Sequence, residues 1–408
     1  MSAIVGREID SGYAWFRLAV SILLSALGGV GMWSVVVALP AVQAEFNVAR
    51  GGASLPFTLT TIGFGVGGVL MGKVSDRFGI VVPVLFGAGA LGLGYLLAAL
   101  ADSLSQFALT YGLLIGTFGS ASTFVPLLAD VSRWFERRRG IAVALCACGN
   151  YVAGALWPPL VEFLIQTTGW RTAHLWIGAI CVVFMVPLAL LLRGSAPMRA
   201  ANAPRAATRF PRVANLSPGA LQALLATAGL ACCVAMAMPQ VHIVAYCGDL
   251  GYGTVNGARM LSLMMGCGIV SRVASGFIAD RVGGMMTLAI GSAAQMAALA
   301  LYLTSDGLLS LYIISAMFGL FQGGLVPSYA IIIRENFSAG EAGTRVGLVM
   351  MMTLLGMALG GWMSGAIFDL TGSYRAAFAN GVAWNALNLA IAMFLLTRGR
   401  DRSVLHAT

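Results

Sequence analysis

Twelve apolar stretches of about 20 residues divide the chain, at roughly 16–40, 54–74, 80–101, 105–131, 140–164, 171–192, 219–246, 254–279, 284–304, 308–334, 342–368 and 375–397. That is the length a helix needs to cross a ~30 Å hydrocarbon core. No water is present there to satisfy backbone N–H and C=O groups, so such a segment must bond to itself as a helix. Composition closes the soluble alternative. Of the 408 residues 59% are hydrophobic and 10% charged, where a soluble domain carries about 25% charged residues. So few charges cannot cover a water-facing surface. The expected fold class is an all-α membrane protein with twelve transmembrane helices. The first run lacks a small-residue cleavage site and is read as a retained span.

The longest polar connection, 193–218, falls between the sixth and seventh spans and holds five arginines, four prolines and no acid. It has too little apolar surface to fold alone. The expected organisation is an N-terminal six-helix bundle (1–192), a linker (193–218) and a C-terminal six-helix bundle (219–408). With the linker and both termini on one side, that side holds nineteen basic residues. The other holds four, Arg50, Arg171, Arg259 and Arg375. Such an excess marks the cytoplasmic side. Both termini are therefore expected there, in a plasma membrane or a bacterial inner membrane. The net charge of +9 belongs to loops beside a lipid bilayer and gives no argument for nucleic acid. Seven cysteines lie in or beside apolar runs, without partners at ligand spacing. They read as small buried hydrophobes, with no metal or cofactor implied.

The two halves repeat. Gly72-Lys73-Val74-Ser75-Asp76-Arg77-Phe78-Gly79 matches Gly276-Phe277-Ile278-Ala279-Asp280-Arg281-Val282-Gly283. Thr168-Gly169-Trp170-Arg171 recurs as Thr371-Gly372-Ser373-Tyr374-Arg375, and each pair of matching arginines is 204 residues apart. Duplicated six-span halves about a mid-membrane path are what alternating access requires, because one half can rock against the other. A channel would need a filter-forming ring, and none is present. In the repeated octet the acids are placed to cap a neighbouring helix start or to pair with arginine. Asp76, Arg77, Asp280 and Arg281 are therefore the candidate gate. The doubled motif, the twelve spans and the central linker resemble the major facilitator superfamily over essentially the whole chain. That resemblance implies two pseudo-symmetric bundles and a transporter rather than an enzyme.

Arg272 stands apart from the other basic residues. It lies seven residues inside span eight, roughly 10 Å of helix. Gly268 and Gly276 flank it one turn away, on the same face. A guanidinium in hydrocarbon needs water, an anion or a fixed partner. Acids within the long apolar runs are few: Glu162 in span five, with Asp130, Glu335 and Asp369 near span ends. Arg272 is expected to face the cavity and fork onto a substrate carboxylate. Polar groups at comparable depth are candidate neutral contacts: Asn150 and Tyr151 in span five, Gln322 and Tyr329 in span ten, and Asn385 in span twelve. One fork and a few neutral hydrogen bonds suit a small, flat monoanion.

Three stretches sharpen the resemblance, toward the monocarboxylate transporter group. Asp10-Ser11-Gly12-Tyr13-Ala14-Trp15 is similar to that group's signature at the start of span one. Trp134-Phe135-Glu136-Arg137-Arg138-Arg139-Gly140-Ile141-Ala142, leading to Ala147-Cys148-Gly149, resembles its approach to span five. Arg272, ahead of Gly276 and Ala279-Asp280, stands where the group has its substrate-binding arginine. The resemblance implies proton-linked symport of lactate- or pyruvate-like acids, by a protein expected to work as a monomer. Oxalate–formate exchangers share the plan. The chain also departs from it. Gly268 stands where mammalian members carry an aspartate, and Trp33 where they carry a lysine. The one lysine of the chain is Lys73, so the oxalate exchanger's second cation, in span eleven, has no counterpart. A dicarboxylate is disfavoured, and the usual proton relay lacks two members. Two readings stand beside the first: an organic anion exchanger, and proton-driven efflux of apolar compounds.

Overall fold

The computed structural model describes residues 9–194 and 216–405; residues 195–215 of the expected linker lie outside them. Among the described residues, twelve helices are long and apolar enough to cross a membrane. They are α1 (Gly12–Phe46), α2 (Arg50–Phe78), α3 (Val81–Ala99), α4 (Leu104–Trp134), α5 (Arg139–Thr168) and α6 (Trp170–Leu191), then α7 (Pro218–Asp249), α8 (Thr254–Val282), α9 (Gly284–Thr304), α10 (Leu308–Asn336), α11 (Glu341–Thr371) and α12 (Tyr374–Arg398). The architecture is all-α, as the apolar runs predict.

Local chemistry sets the helix ends. Ser11, Ser103 and Ser217 each accept a backbone N–H in the first turn of α1, α4 and α7, which satisfies a donor the helix leaves open. The repeated octet ends α2 and α8 at Gly79 and Gly283, with φ of 80° and 83°. A side chain is strained there, so the final glycine of each copy is a turn requirement. Both copies of the motif thus make one and the same turn.

Several spans break in mid-membrane. The fourth runs as an α-helix to Thr110, a π-helix over Tyr111–Gly119 and a 3-10 turn over Ser120–Thr123, then resumes as α-helix from Val125. The tenth breaks at Gly323-Gly324, between Gln322 and Leu325. Ser120 and Gly324 are 204 residues apart, so each half interrupts its fourth helix at the same place. Interrupted helices in corresponding positions of two repeats point to the binding path. The double glycine also has a packing reason. A β-carbon at Gly323 would stand 2.3 Å from Gly268 O, and one at Gly324 would stand 2.2 Å from Ser275 Cβ. The α10 backbone therefore lies directly against α8.

The six spans before the linker meet the six after it along two main seams, α5 on α8 and α2 on α11, and α1 also touches α7. On the side away from the linker, the distal face, the seams are closed: a β-carbon at Gly51 would stand 3.1 Å from Asp369 Oδ2. Toward the linker face, Gly276, Gly343 and Gly347 have open space where a side chain would stand. The halves meet distally and part toward the linker.

Candidate substrate site and its gates

Arg272 lies where α8 crosses α5. Its backbone is backed by α10, since a β-carbon at Gly323 would stand 3.0 Å from Arg272 N. Its side chain reaches the other half. Nη1 donates to Ala147 O at 3.0 Å, beside the kink at Cys148 that splits α5. The guanidinium carbon stands 4.8 Å from the centroid of the Tyr151 ring, within cation–π range. That ring fits because residue 268 has no side chain; a β-carbon there would stand 2.4 Å from Tyr151 Cε1. Arg272 Nε is buried without a hydrogen-bond partner. Among the described residues Nη1 makes the only hydrogen bond of this guanidinium, and no acid pairs with it. The Nε–Nη2 edge, the one a carboxylate accepts bidentately, is therefore free.

The two buried arginines are paired with acids elsewhere, although Arg50 Nε also lacks a hydrogen-bond partner. Arg17 donates from Nε and Nη2 to the two oxygens of Asp130, at 2.8 and 3.0 Å, and from Nη1 to Leu192 O at 2.9 Å. Arg50 donates to Tyr374 Oη at 2.8 Å and to Asp249 Oδ1 at 3.2 Å.

The other predicted site residues fall into two groups. Tyr151 lies on the Arg272 seam, whereas the side chain of Asn150 faces α1, its Oδ1 3.1 Å from where a β-carbon at Gly29 would stand. The Asn150 carbonyl accepts from Trp33 Nε1 at 3.2 Å, and Trp33 packs with Met265 around Gly154. Gln322 is fully buried directly before Gly323; its Oε1 accepts from Gln240 Nε2 at 2.6 Å, and its own Nε2 has no partner. Tyr329 and Asn385 are buried inside the second half. Tyr329 donates to Asn388 Oδ1 at 2.8 Å, while Asn385 and Asn388 donate to Ser292 O and Oγ, each at 2.7 Å. These bonds tie α9, α10 and α12, and among the described residues neither Tyr329 nor Asn385 contacts Arg272. Sequence reading missed three parts of the site. The Gly323-Gly324 break could have been found from its 204-residue offset to the interruption of α4. The Tyr151 seat on Gly268 and the Ala147 carbonyl have no local signal.

The distal face is locked across the halves. Asp369 accepts from Arg50 N and Gly51 N, both at 2.7 Å. Arg50 Nη1 donates to Tyr374 Oη, which faces His242 Nδ1 at 3.3 Å, and His242 Nε2 lies 2.8 Å from Gly361 O. A carbonyl can only accept, so the proton sits on Nε2 and each group donates to the next. On the other seam, buried Glu162 accepts from Thr254 Oγ1 at 2.5 Å and Gln166 Nε2 at 2.9 Å. At the linker face, Asp76 pairs with Arg133 of its own half at 2.5 Å, and both are exposed. Arg77 lies over Phe78. Asp280 and Arg281 are exposed, without an ion pair among the described residues. In this conformation the Asp76 carboxylate is thus held within its own half.

Comparison with known proteins agrees with this geometry. A model of the Major Facilitator Superfamily matches residues 21–310. The chain is 32% identical over 375 residues to monocarboxylate transporter 13 of Bos taurus, covering 90% of this chain and 86% of that one. It is 30% identical over 386 residues to monocarboxylate transporter 11 of Mus musculus, covering 90% and 84%. Among solved structures, an inward-facing, unoccupied bacterial homologue of the lysosomal transporter Spinster superposes with a TM-score of 0.70 at 14% identity, over 96% of this chain and 98% of that one. The nucleoside transporter NupG gives 0.69 at 13% identity, over 94% and 99%. The two structural likenesses bear on the fold alone.

Proposed function

We propose that this chain, which belongs to the major facilitator superfamily, carries small organic monocarboxylates of the lactate or pyruvate kind, with Arg272 holding the carboxylate. One observation carries this reading: the free Nε–Nη2 edge of a guanidinium that has no acid beside it. A buried donor left unbonded costs on the order of 1–3 kcal/mol. A ligand carboxylate removes that cost and neutralises the charge. One edge on one cation favours one carboxylate. Asn150 and Gln322 are the proposed neutral partners, Gln322 through its unbonded Nε2, and the ring of Tyr151 is the proposed wall of the site. Tyr329 and Asn385 hold the helices behind them. The names of the two relatives support the same class of cargo.

In this reading the halves 1–192 and 219–408 rock about the site while 193–218 joins them. Asp76, Arg77, Asp280 and Arg281 close the linker face. The excess of basic residues supports that face as cytoplasmic, in a plasma or bacterial inner membrane, with the protein working as a monomer. A proton accompanies each anion. Anion exchange is the second reading, favoured by the tyrosine ring, rather than an acid, packed beside Arg272 on Gly268.

The test is uptake of labelled pyruvate and lactate into proteoliposomes under an imposed pH gradient. Saturable uptake blocked by short monocarboxylates is expected, and Arg272→Ala should lose it by roughly 100-fold or more, the loss of two charge-assisted hydrogen bonds. Full transport by folded Arg272→Ala would sink the assignment. Stimulation by the pH gradient supports symport; stimulation only by carboxylate inside supports exchange. Competition by hydrophobic cations alone would move the reading to efflux of apolar compounds.

A further inference from the structure

We propose that Gly268 and Tyr151 act as one positioning element that sets the specificity of the Arg272 site: the absent side chain at 268 seats the ring, and the ring holds the guanidinium with its carboxylate edge free. The inference rests on Arg272 being the substrate anchor, and it has Gly268 and the Tyr151 ring act through Arg272 rather than by hydrogen-bonding the carboxylate.

Residue 268 lies one turn before Arg272 on the same face of α8, the position from which a side chain most easily reaches an i+4 partner. An acid there would occupy the guanidinium. In this chain the space is filled from the other half, since a β-carbon at 268 would stand 2.4 Å from Tyr151 Cε1 and 2.6 Å from Cδ1. Neither the ring nor the α8 backbone can yield that distance without moving. The ring then lies under the guanidinium, 4.8 Å from centroid to Cζ. It attracts the cation through its face without taking any N–H. With Nη1 on Ala147 O, face and one corner of the group are fixed, and Nε–Nη2 is the edge that remains.

This arrangement selects its ligand. The incoming group must be an anion that accepts two parallel N–H bonds, and its body must lie against an aromatic wall. A carboxylate on a flat or apolar carbon satisfies both conditions. A second negative charge would meet ring rather than cation.

The experiment measures labelled pyruvate uptake into proteoliposomes by five variants: Gly268→Ala, Tyr151→Phe, Tyr151→Leu, the double variant Gly268→Ala/Tyr151→Leu, and Arg272→Ala. KM and maximal rate are separated, and each protein is checked for a monodisperse elution profile. Gly268→Ala and Tyr151→Leu should each raise KM about tenfold with the maximal rate changed less than threefold. Tyr151→Phe, which keeps the ring, should stay within twofold of wild type. The double variant should be no worse than Tyr151→Leu alone, because the ring that a methyl group at 268 would displace is gone. Effects that multiply in the double variant, or Tyr151→Phe as damaging as Tyr151→Leu, would overturn the positioning role. So would a wild-type KM in Gly268→Ala. Arg272→Ala separates the two levels: loss of uptake there with a normal Gly268→Ala refutes only this inference, whereas retained uptake refutes the anchor itself. If Gly268→Ala does not fold, the Phe and Leu pair at 151 still decides.

Discussion

Asp369→Ala should unlock the distal face. Two backbone N–H groups of α2, at Arg50 and Gly51, donate across the halves to the two Asp369 oxygens at 2.7 Å each. Asp369 is exposed, so the ~1.5–3 kcal/mol typical of bonds to buried charge must be discounted for solvent screening. At the neutral value of about 1 kcal/mol each, the pair contributes about 2 kcal/mol to the distally closed form. At 1.4 kcal/mol per decade that is a roughly 30-fold shift in population. Asp369→Asn keeps one acceptor oxygen and should move it about fivefold. The Arg50 bonds to Tyr374 and Asp249 persist in both variants, so the protein stays folded. Spin labels at Asp102 and Leu309, exposed on the distal ends of the two halves, would report the change as a longer-distance population by pulsed electron resonance in nanodiscs. Six of the seven native cysteines are buried and the seventh is partly so, which keeps background labelling low. A distance distribution within twofold of wild type in Asp369→Ala would show that this pair does not hold the face shut.

Two further outcomes test the packing and the charge network. A β-carbon at Gly67 would stand 1.9 Å from Thr117 O, so Gly67→Val should drive α2 away from α4 and abolish monodisperse protein in detergent; a normal elution profile would refute that contact. Asp306, in the loop before α10, is held below the usual carboxylate value by hydrogen bonds from Tyr246 and then Arg375. A depressed folded value adds stability above the ordinary 3.8 and loses it as pH falls through the lowered value. Asp306→Asn should therefore melt earlier than wild type at pH 7, with the gap fading once pH drops below that ordinary value. A gap constant with pH would contradict the assignment.

Span number, turn positions and the pairing of Gly79 with Gly283 are local properties, and the apolar runs and the repeated octet reveal them directly. Arg272 is legible for a similar reason: a charge seven residues inside a span has few bland explanations. What the one-dimensional pattern lacks is azimuth. Tyr329 and Asn385 sit at a plausible depth, yet their side chains turn into the second half toward Asn388 and Ser292. Depth fails too near span ends. Arg17 and Arg50 count as ordinary flanking charges in the sequence, but both are buried, by partners that lie 113 residues away for Arg17 and 324 for Arg50. Those partners become visible only when α4 and α12 are in place.

The α5–α8 seam reads as an antiparallel ladder across the halves: Glu162 on Thr254, Ala155 on Ser262, Tyr151 on Gly268, Ala147 on Arg272. The α2–α11 seam runs from Gly51 on Asp369 to Gly65 beside Met351 and Leu354. Ala147 lies 21 residues from the distal end of α5, and Gly65 lies 15 from that of α2, so the first seam reaches ~9 Å deeper. Arg272 is thus at the lower edge of the deeper seam, where closed interface gives way to open space at Gly276. In the proposed cycle the rocking that opens the distal face must break the Asp369 and Glu162 contacts, which lie farthest from mid-membrane. The Arg272–Ala147 contact lies nearest the pivot and moves least. A carboxylate on the free edge of Arg272 can therefore pass from one face to the other while its anchor stays in place. In that proposed cycle a side chain shared between the halves would keep its place in both conformations, and only the access to it would change.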